Sequence, residues 1–241
     1  MTFSSFRHNL RKDIEDISLR NFSVRSLTGE DVLQGIDYDF KRGEVYRIKG
    51  ALGDCSEFLK ALGFIHKNSQ GSILVNGEDA MEFSFEEFTK YRFNIGYTFD
   101  YGGLLNNKTI KENITLPLQY HNEFHADEIE EAADWFLSYF DINQFANLRP
   151  AMTPGFVRKL GCIIRCLIVK PQVLVMDGPT AALDKIRSEN LVRYIYEKFE
   201  TTEIRMILFS TSYDGSFEPW SPKTLEIKEQ SLNLLPDKVA V

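Results

Sequence analysis

Residues 173–177 read Val-Leu-Val-Met-Asp, four apolar residues in a row that follow Pro171 and stop at a carboxylate. A strand with one wetted face alternates apolar and polar side chains, so an unbroken run fits a strand covered on both faces, as in a parallel sheet between helical layers. A second stretch narrows the choice. Lys49 to Gly63 read KGALGDCSEFLKALG, a hydrophobic strand that passes through a glycine turn into an amphipathic helix. That is the setting in which helix-end N–H groups usually cradle phosphates. A phosphate loop of the GxxxxGK[ST] type needs a second glycine, a lysine and a hydroxyl in succession, and here Cys55, Ser56 and Glu57 hold those places.

The remaining elements can be read in order. Apolar alternation predicts strands over Ile17 to Val24, Ile36 to Phe40 and Val45 to Ile48, with Lys41-Arg42-Gly43-Glu44 joining the last two as a hairpin. A helix from Asp54 to Gly63, a strand from Ser72 to Val75 closed by the Asn76-Gly77 turn, and a short strand from Asn94 to Phe99 follow. Tyr101 to Tyr120 reads as loop, punctuated by Gly102-Gly103 and Pro117. Helical spacing returns in Ala126 to Phe140 and Phe156 to Val169. After the buried strand come a helix from Asp184 to Phe199, a strand from Arg205 to Phe209 and a hairpin around Leu225 to Leu235. Together these predict one α/β domain over 1–241 with a P-loop-like parallel core and a helical lobe inserted at approximately 120–170.

Composition removes several function classes. With 241 residues, 43% of them hydrophobic, the chain can bury a sizeable core. A net charge of −7 argues against a general nucleic-acid or anionic-membrane surface. No apolar run approaches the roughly 18 residues of a membrane span, and the opening stretch lacks a signal-peptide core, so a cytoplasmic chain without direct membrane insertion is expected. Cys55, Cys162 and Cys166 make no even disulfide framework. Cys162 and Cys166 share a helical face but lack neighbouring ligands, which favours packing over metal binding. His121 and His125 lie in a run of carboxylates and read as a solvated segment.

VLVMDGPTAALD, Val173 to Asp184, resembles the Walker B strand and D-loop of the nucleotide-binding subunits of ATP-binding-cassette (ABC) transporters. Gly43-Glu44, Gly71 to Gly77 and IGYTFDYGGLLNNKTIKENITLPL, Ile95 to Leu118, follow that family's order, and the last stretch looks most like cassettes of the bacterial Mla and Mce lipid-trafficking systems. The resemblance implies an ABC cassette with a parallel-sheet core, an N-terminal antiparallel β subdomain and an inserted helical lobe. It also implies ATP hydrolysis, a transmembrane permease partner, a cassette dimer and a place on the inner face of the inner membrane.

Carried over residue by residue, the resemblance keeps Gly50 and Gly53 of the phosphate loop but puts Ser56 in the lysine place and Glu57 in that of the magnesium-binding hydroxyl. A carboxylate facing polyphosphate costs on the order of 1 to 4 kcal/mol per charge pair at about 4 Å. Asp100 stands for the Q-loop glutamine. Thr153-Pro154-Gly155-Phe156-Val157 stands for the signature LSGGQ, with Pro154 in place of the phosphate-contacting serine. Gly178 replaces the catalytic glutamate, Ser212 the switch histidine, and Ser26-Leu27 the adenine-stacking aromatic. Asp177, the metal-side carboxylate, remains. As a homodimer, both composite sites would lack both halves; beside an active cassette, one site would have a broken loop and the other a broken signature.

The expectation is therefore a pseudo-ATPase with no catalytic residue and no cofactor, serving as a structural or regulatory partner of a permease. Mg-ATP enters only in the alternative of a divergent ATPase that uses Asp177 and Asp100; a soluble interaction module unrelated to transport is a third reading. Asp54 and Glu57 are expected to cap the helix they open, holding its N-terminus with the chain's own anions. Tyr101, Leu104 and Leu105 serve either as a permease-docking surface or as packing between lobes.

Overall fold

The structure is a computed structural model and describes residues 11–65, 69–100, 102–121, 124–211 and 215–236. The described strands form two sheets. The first is antiparallel, with order β2-β1-β4-β5, built from β1 (Asp16–Arg25), β2 (Asp31–Lys41), β4 (Ser69–Val75) and β5 (Glu78–Asp79). The second has order β10-β9-β3-β8-β7-β6 and comprises β3 (Glu44–Lys49), β6 (Ile95–Thr98), β7 (Val173–Asp177), β8 (Met206–Ser210), β9 (Lys223–Lys228) and β10 (Ser231–Leu234). All its pairings are parallel except β9 with β10.

The expected hairpin between the second and third strands does not form. β2 pairs with β1, whereas β3 lies between β8 and β9 in the other sheet. The turn instead hands the chain from one sheet to the other. Its donors are spoken for: Gly43 N–H bonds the Arg205 carbonyl at 2.7 Å, and Lys41 N–H bonds Tyr46 Oη at 2.9 Å. The strand sequences had the right period; which sheet each joins is settled by partners far along the chain.

β7 fulfils the two-faced burial its composition requires, since all five residues are buried. Val173 and Val175 join the core beneath α1 (Leu52–Leu62), with Phe58, Leu59 and Leu62. Leu174 and Met176 join the opposite core with α4 (Ala126–Tyr139), α5 (Gly155–Leu167) and α6 (Lys185–Glu200). At about 1.5–3 kcal/mol of transfer free energy per side chain, these four residues favour this placement over any with an exposed face.

The stretch read as loop contains α3 (Ile110–His121). Its apolar residues Ile110, Ile114 and Leu118 recur every four positions and are buried against α4 and α5. Thr109 and Glu112 cap it reciprocally: Thr109 N–H to Glu112 Oε2 at 2.6 Å, Glu112 N–H to Thr109 Oγ1 at 3.2 Å. Pro117 misled the reading, because one interior proline removes a single bond from a helix otherwise held by packing. α3 thus joins α4 and α5 in one core. A further helix, α2 (Phe85–Arg92), opens on a Ser84–Glu87 capping box. Among the described residues, no helix is long and apolar enough to cross a membrane.

Candidate functional site

α1 starts at the carboxyl end of β3, so the turn at Gly50 faces the ends of β7 and β8. Gly50 has φ +150°, and a Cβ there would sit 3.0 Å from the Ile227 carbonyl, which accounts for the glycine on packing grounds alone. Gly53 meets no such neighbour. The helix does not start as expected. Its N-cap is Ala51, no side chain caps it, and Asp54 lies inside the first turn. Glu57 turns away from the terminus: it is buried and pairs with Lys60 at 2.9 Å one turn on. Because the helix begins earlier than the sequence signal suggested, Asp54 and Glu57 miss the positions a capping box needs.

What meets the start of α1 is Asp177. Ser56 Oγ donates to Asp177 Oδ2, and Ser210 Oγ donates to Oδ1 at 2.7 Å. Asp177 and Ser210 are register partners at the ends of β7 and β8, both buried. Ser210 also receives Gly178 N–H on its carbonyl at 3.1 Å. Ser56, which the resemblance sets in the lysine place, is thus bonded to the Asp177 carboxylate.

Beside this carboxylate lies Asp100, half-exposed, whose Oδ1 would clash with a Cβ at Gly178. Gly178 itself has φ +51°. Any side chain there would meet both a crowded neighbour and a left-handed backbone. Lys159 lies beneath, nearly fully buried. Its Nζ donates to the carbonyls of Phe99 at 2.8 Å, Asp100 at 3.1 Å and Asp177 at 3.2 Å, with Asp100 Oδ1 at 3.9 Å. Burial lowers its pKa.

The signature region is closed on its own chain as well. Pro154 is the N-cap of α5 without a side-chain bond to offer, and its carbonyl takes Val157 N–H at 3.1 Å. Gly155 faces Ala182 of the D-loop stretch, 3.8 Å from a would-be Cβ. Phe156 is covered by the Arg187 guanidinium, 4.0 Å from the ring centroid. Leu104 packs on the helical core, and Leu105 is exposed, its N–H held by Asn113 Oδ1 at 2.7 Å. Tyr101 and Ser212 fall outside the described residues.

Ser56, Asp177, Gly178 and Asp100 thus converge, whereas Glu57 belongs to its own helix and Pro154 and Gly155 to the neighbouring lobe. Ser210 and Lys159 were missed by sequence. Aligning the two apolar runs Val-Leu-Val-Met-Asp and Met-Ile-Leu-Phe-Ser would have set Asp177 against Ser210, and a lone lysine among the apolar residues of α5 was the other available signal. Among the described residues no cluster suits a metal ion, and all three cysteines are free and buried.

A glycine turn between a parallel strand and a helix, with an acid-ended strand one place beyond the neighbouring strand, defines a phosphate-loop type of nucleotide-binding fold. The family is also shown by sequence: residues 33–181, more than half of the 241, match the ABC transporter family, and the chain belongs to it. The methionine import ATP-binding protein MetN of Mannheimia succiniciproducens is 26% identical over 202 residues, covering 82% of this chain and 58% of that protein. MetN 2 of Pseudomonas entomophila is 27% identical over 213 residues, 88% and 60% of the two chains. The chain thus spans about 58–60% of the length of these curated relatives. Among solved structures, the ATP-binding cassette MJ0796, described as a dimer in a post-hydrolysis state bound to ADP and Pi, superposes with TM-score 0.82 at 23% identity over 93% of this chain and 100% of that one. CbiO1 of Clostridium perfringens, described as part of the transporter complex cbiONQ, gives 0.72 at 22% over 93% and 89%. These two support the fold.

The family implies Mg-ATP, and the residues do not fit it. The hydroxyl in the lysine place brings no charge to a phosphate, Glu57 brings the wrong one, and both oxygens of Asp177 already accept hydrogen bonds from the same chain.

Proposed function

We propose that this chain is a non-hydrolysing cassette subunit that docks on a membrane permease, as a cytoplasmic and peripheral partner, paired with a second cassette. The observation that carries this reading is the Ser56–Asp177–Ser210 cluster: the site's one remaining acid is satisfied internally. The missing base at Gly178 adds to it, since general-base catalysis needs a positioned acceptor. Support for the permease and the dimer comes from the family and from its solved relatives, one part of a transporter complex and one a cassette dimer. The curated relatives are methionine importers, and no residue here supports the lipid cargo implied by the Mla and Mce resemblance.

The test is calorimetric titration of the purified chain with Mg-ATP, beside a Ser56→Lys, Glu57→Ser variant. The expected result is no saturable heat for the natural chain at millimolar nucleotide. Saturable binding, or hydrolysis that disappears in Asp177→Asn, would make the divergent ATPase the correct reading.

A further inference from the structure

Residues 11–15 precede β1 and belong to no described strand or helix, yet each is tied to a distant part of the chain. The Lys12 carbonyl accepts Asn94 Nδ2 at 2.7 Å. Gln172 grips the next two residues, its Nε2 donating to Asp13 Oδ1 at 2.6 Å and its Oε1 accepting Ile14 N–H at 2.9 Å. Arg205 Nη1 reaches Asp13 Oδ2 at 2.8 Å and Glu15 Oε1 at 3.2 Å, and Arg42 Nη1 donates to Glu15 Oε1 at 2.9 Å. Asn94, Gln172 and Arg205 stand directly before β6, β7 and β8, and Arg42 stands in the turn before β3. Those four strands are consecutive neighbours in the sheet, in that order. The segment is therefore a transverse strap that meets the amino ends of the strands one after another. Three strand spacings are about 14 Å and Lys12 to Glu15 extend over about 10 Å, so the long Arg205 and Arg42 side chains take up the difference.

The strap also reaches a helix. Arg11 Nη1 donates to the Val169 carbonyl at 2.9 Å, just past the end of α5, and its guanidinium lies 6.0 Å from the Phe93 ring centroid. In the second turn of the same helix, Lys159 is bonded to the carbonyls of Phe99, Asp100 and Asp177. α5 thus has two polar pins, one at each edge of the parallel sheet, separated by most of its length, about 12 Å. Between them lies apolar packing, which is non-directional and holds the helix on the sheet without fixing its angle. α3 and α4 share the core of α5, so whatever fixes one fixes all three.

The two pins open on different terms. Lys159 is buried, and withdrawing it would strand buried carbonyls without a donor. The side chains of Lys12, Asp13 and Glu15 are exposed, so water can replace their partners, and fully buried Ile14 is the strap's one apolar anchor. We propose that residues 11–15 form a releasable strap that locks the angle of α5, and with it α3 and α4, against the parallel sheet, and that opening the strap leaves Lys159 as the pivot on which these helices turn. The device stands whether or not the chain binds nucleotide.

The test uses the full chain with spin labels at Glu131→Cys of α4 and Lys228→Cys of β9, both exposed positions, the natural thiols being buried. Double electron–electron resonance reads the distance between helices and sheet. With the strap intact, one narrow distribution is expected. Arg11→Met keeps the apolar stem and loses the donor, and should widen the distribution about twofold. Ile14→Asp, which lifts the anchor, should do the same. Arg11→Lys still offers a donor to the Val169 carbonyl and should restore the narrow distribution, which separates a lost pin from general damage to the fold. A distribution as narrow in Arg11→Met as with Arg11 in place overturns the lock, even where Ile14→Asp fails to fold. So does a broad distribution with the strap intact, and an Arg11→Lys chain as broad as Arg11→Met overturns the Val169 bond as the pin.

Discussion

Asp177 accepts hydrogen bonds from two hydroxyls of its own chain. The donors are Ser56 and Ser210, and bonds of this charge-assisted kind contribute roughly 1.5–3 kcal/mol each. Ser210→Ala is therefore expected to cost about 2 kcal/mol in urea unfolding, more than Ser56→Ala, because Ser210 is the more deeply buried donor. Equal, negligible costs for the two would show that Asp177 does not depend on them. Gly178 carries the second prediction at this scale. Gly178→Glu should not restore hydrolysis, and should lower stability by about 1–3 kcal/mol, because the residue must hold φ +51° against Asp100. Adding Asp100→Gly should recover part of that loss by removing the crowded carboxylate while leaving the backbone strain. A Gly178→Glu chain as stable as the natural one would show that the loop adjusts freely.

Between elements, Lys159 is the tie that matters most. It belongs to α5 of the helical layer, yet its three carbonyl partners are the two residues that follow β6 and the last residue of β7 in the parallel sheet. Lys159→Met keeps the stem and removes every donor, leaving buried carbonyls without their partner. A loss of about 3 kcal/mol is expected, with faster amide exchange concentrated at residues 98–100 and 177–178 rather than in β1 or β2. Exchange that rises evenly over the chain would mean the lysine contributes only bulk stability. This tie also marks the boundary of what the sequence made legible. Local period and composition located β1, β3, β6, β7, β8 and the α4 to α6 helices, because their burial pattern is written within each segment. The sheet change at Gly43 was not legible, since β3 pairs with strands more than 150 residues away. Nor was the start of α1, where Ala51 caps without a side chain and the polar residues that signal a cap sit inside the helix. At the site, Ser56 and Gly178 could be read directly from the sequence; what surrounds them needed the register of Asp177 with Ser210.

Over the whole molecule, two apolar cores share one parallel sheet, and each holds a buried thiol. Cys55 lies in the core beneath α1 and Cys166 in the core of the helical layer. Burial pushes both thiols from 9.0 up to about 12. Between those values the unfolded chain has released these protons and the folded chain still holds them, so unfolding releases protons and stability falls as pH rises. The contribution is fully present below pH 9.0 and is lost progressively toward about 12. Each thiol should add a slope of about 1.4 kcal/mol per pH unit within that window. Tyr46, also raised by burial from 10.0 to about 12, steepens the decline in its upper part. Urea midpoints measured at intervals from pH 8 to 11 should therefore hold steady at first and then drop. Cys55→Ser and Cys166→Ser should each lower the starting stability yet flatten the subsequent fall, since serine does not titrate there. Because β7 contributes side chains to both cores, ionising either thiol should unfold the two together, and fluorescence and circular dichroism should report one coincident transition. Two separated transitions, or a decline that neither cysteine variant flattens, would show that the cores do not share their stability through the sheet or that the thiols are not its alkaline limit.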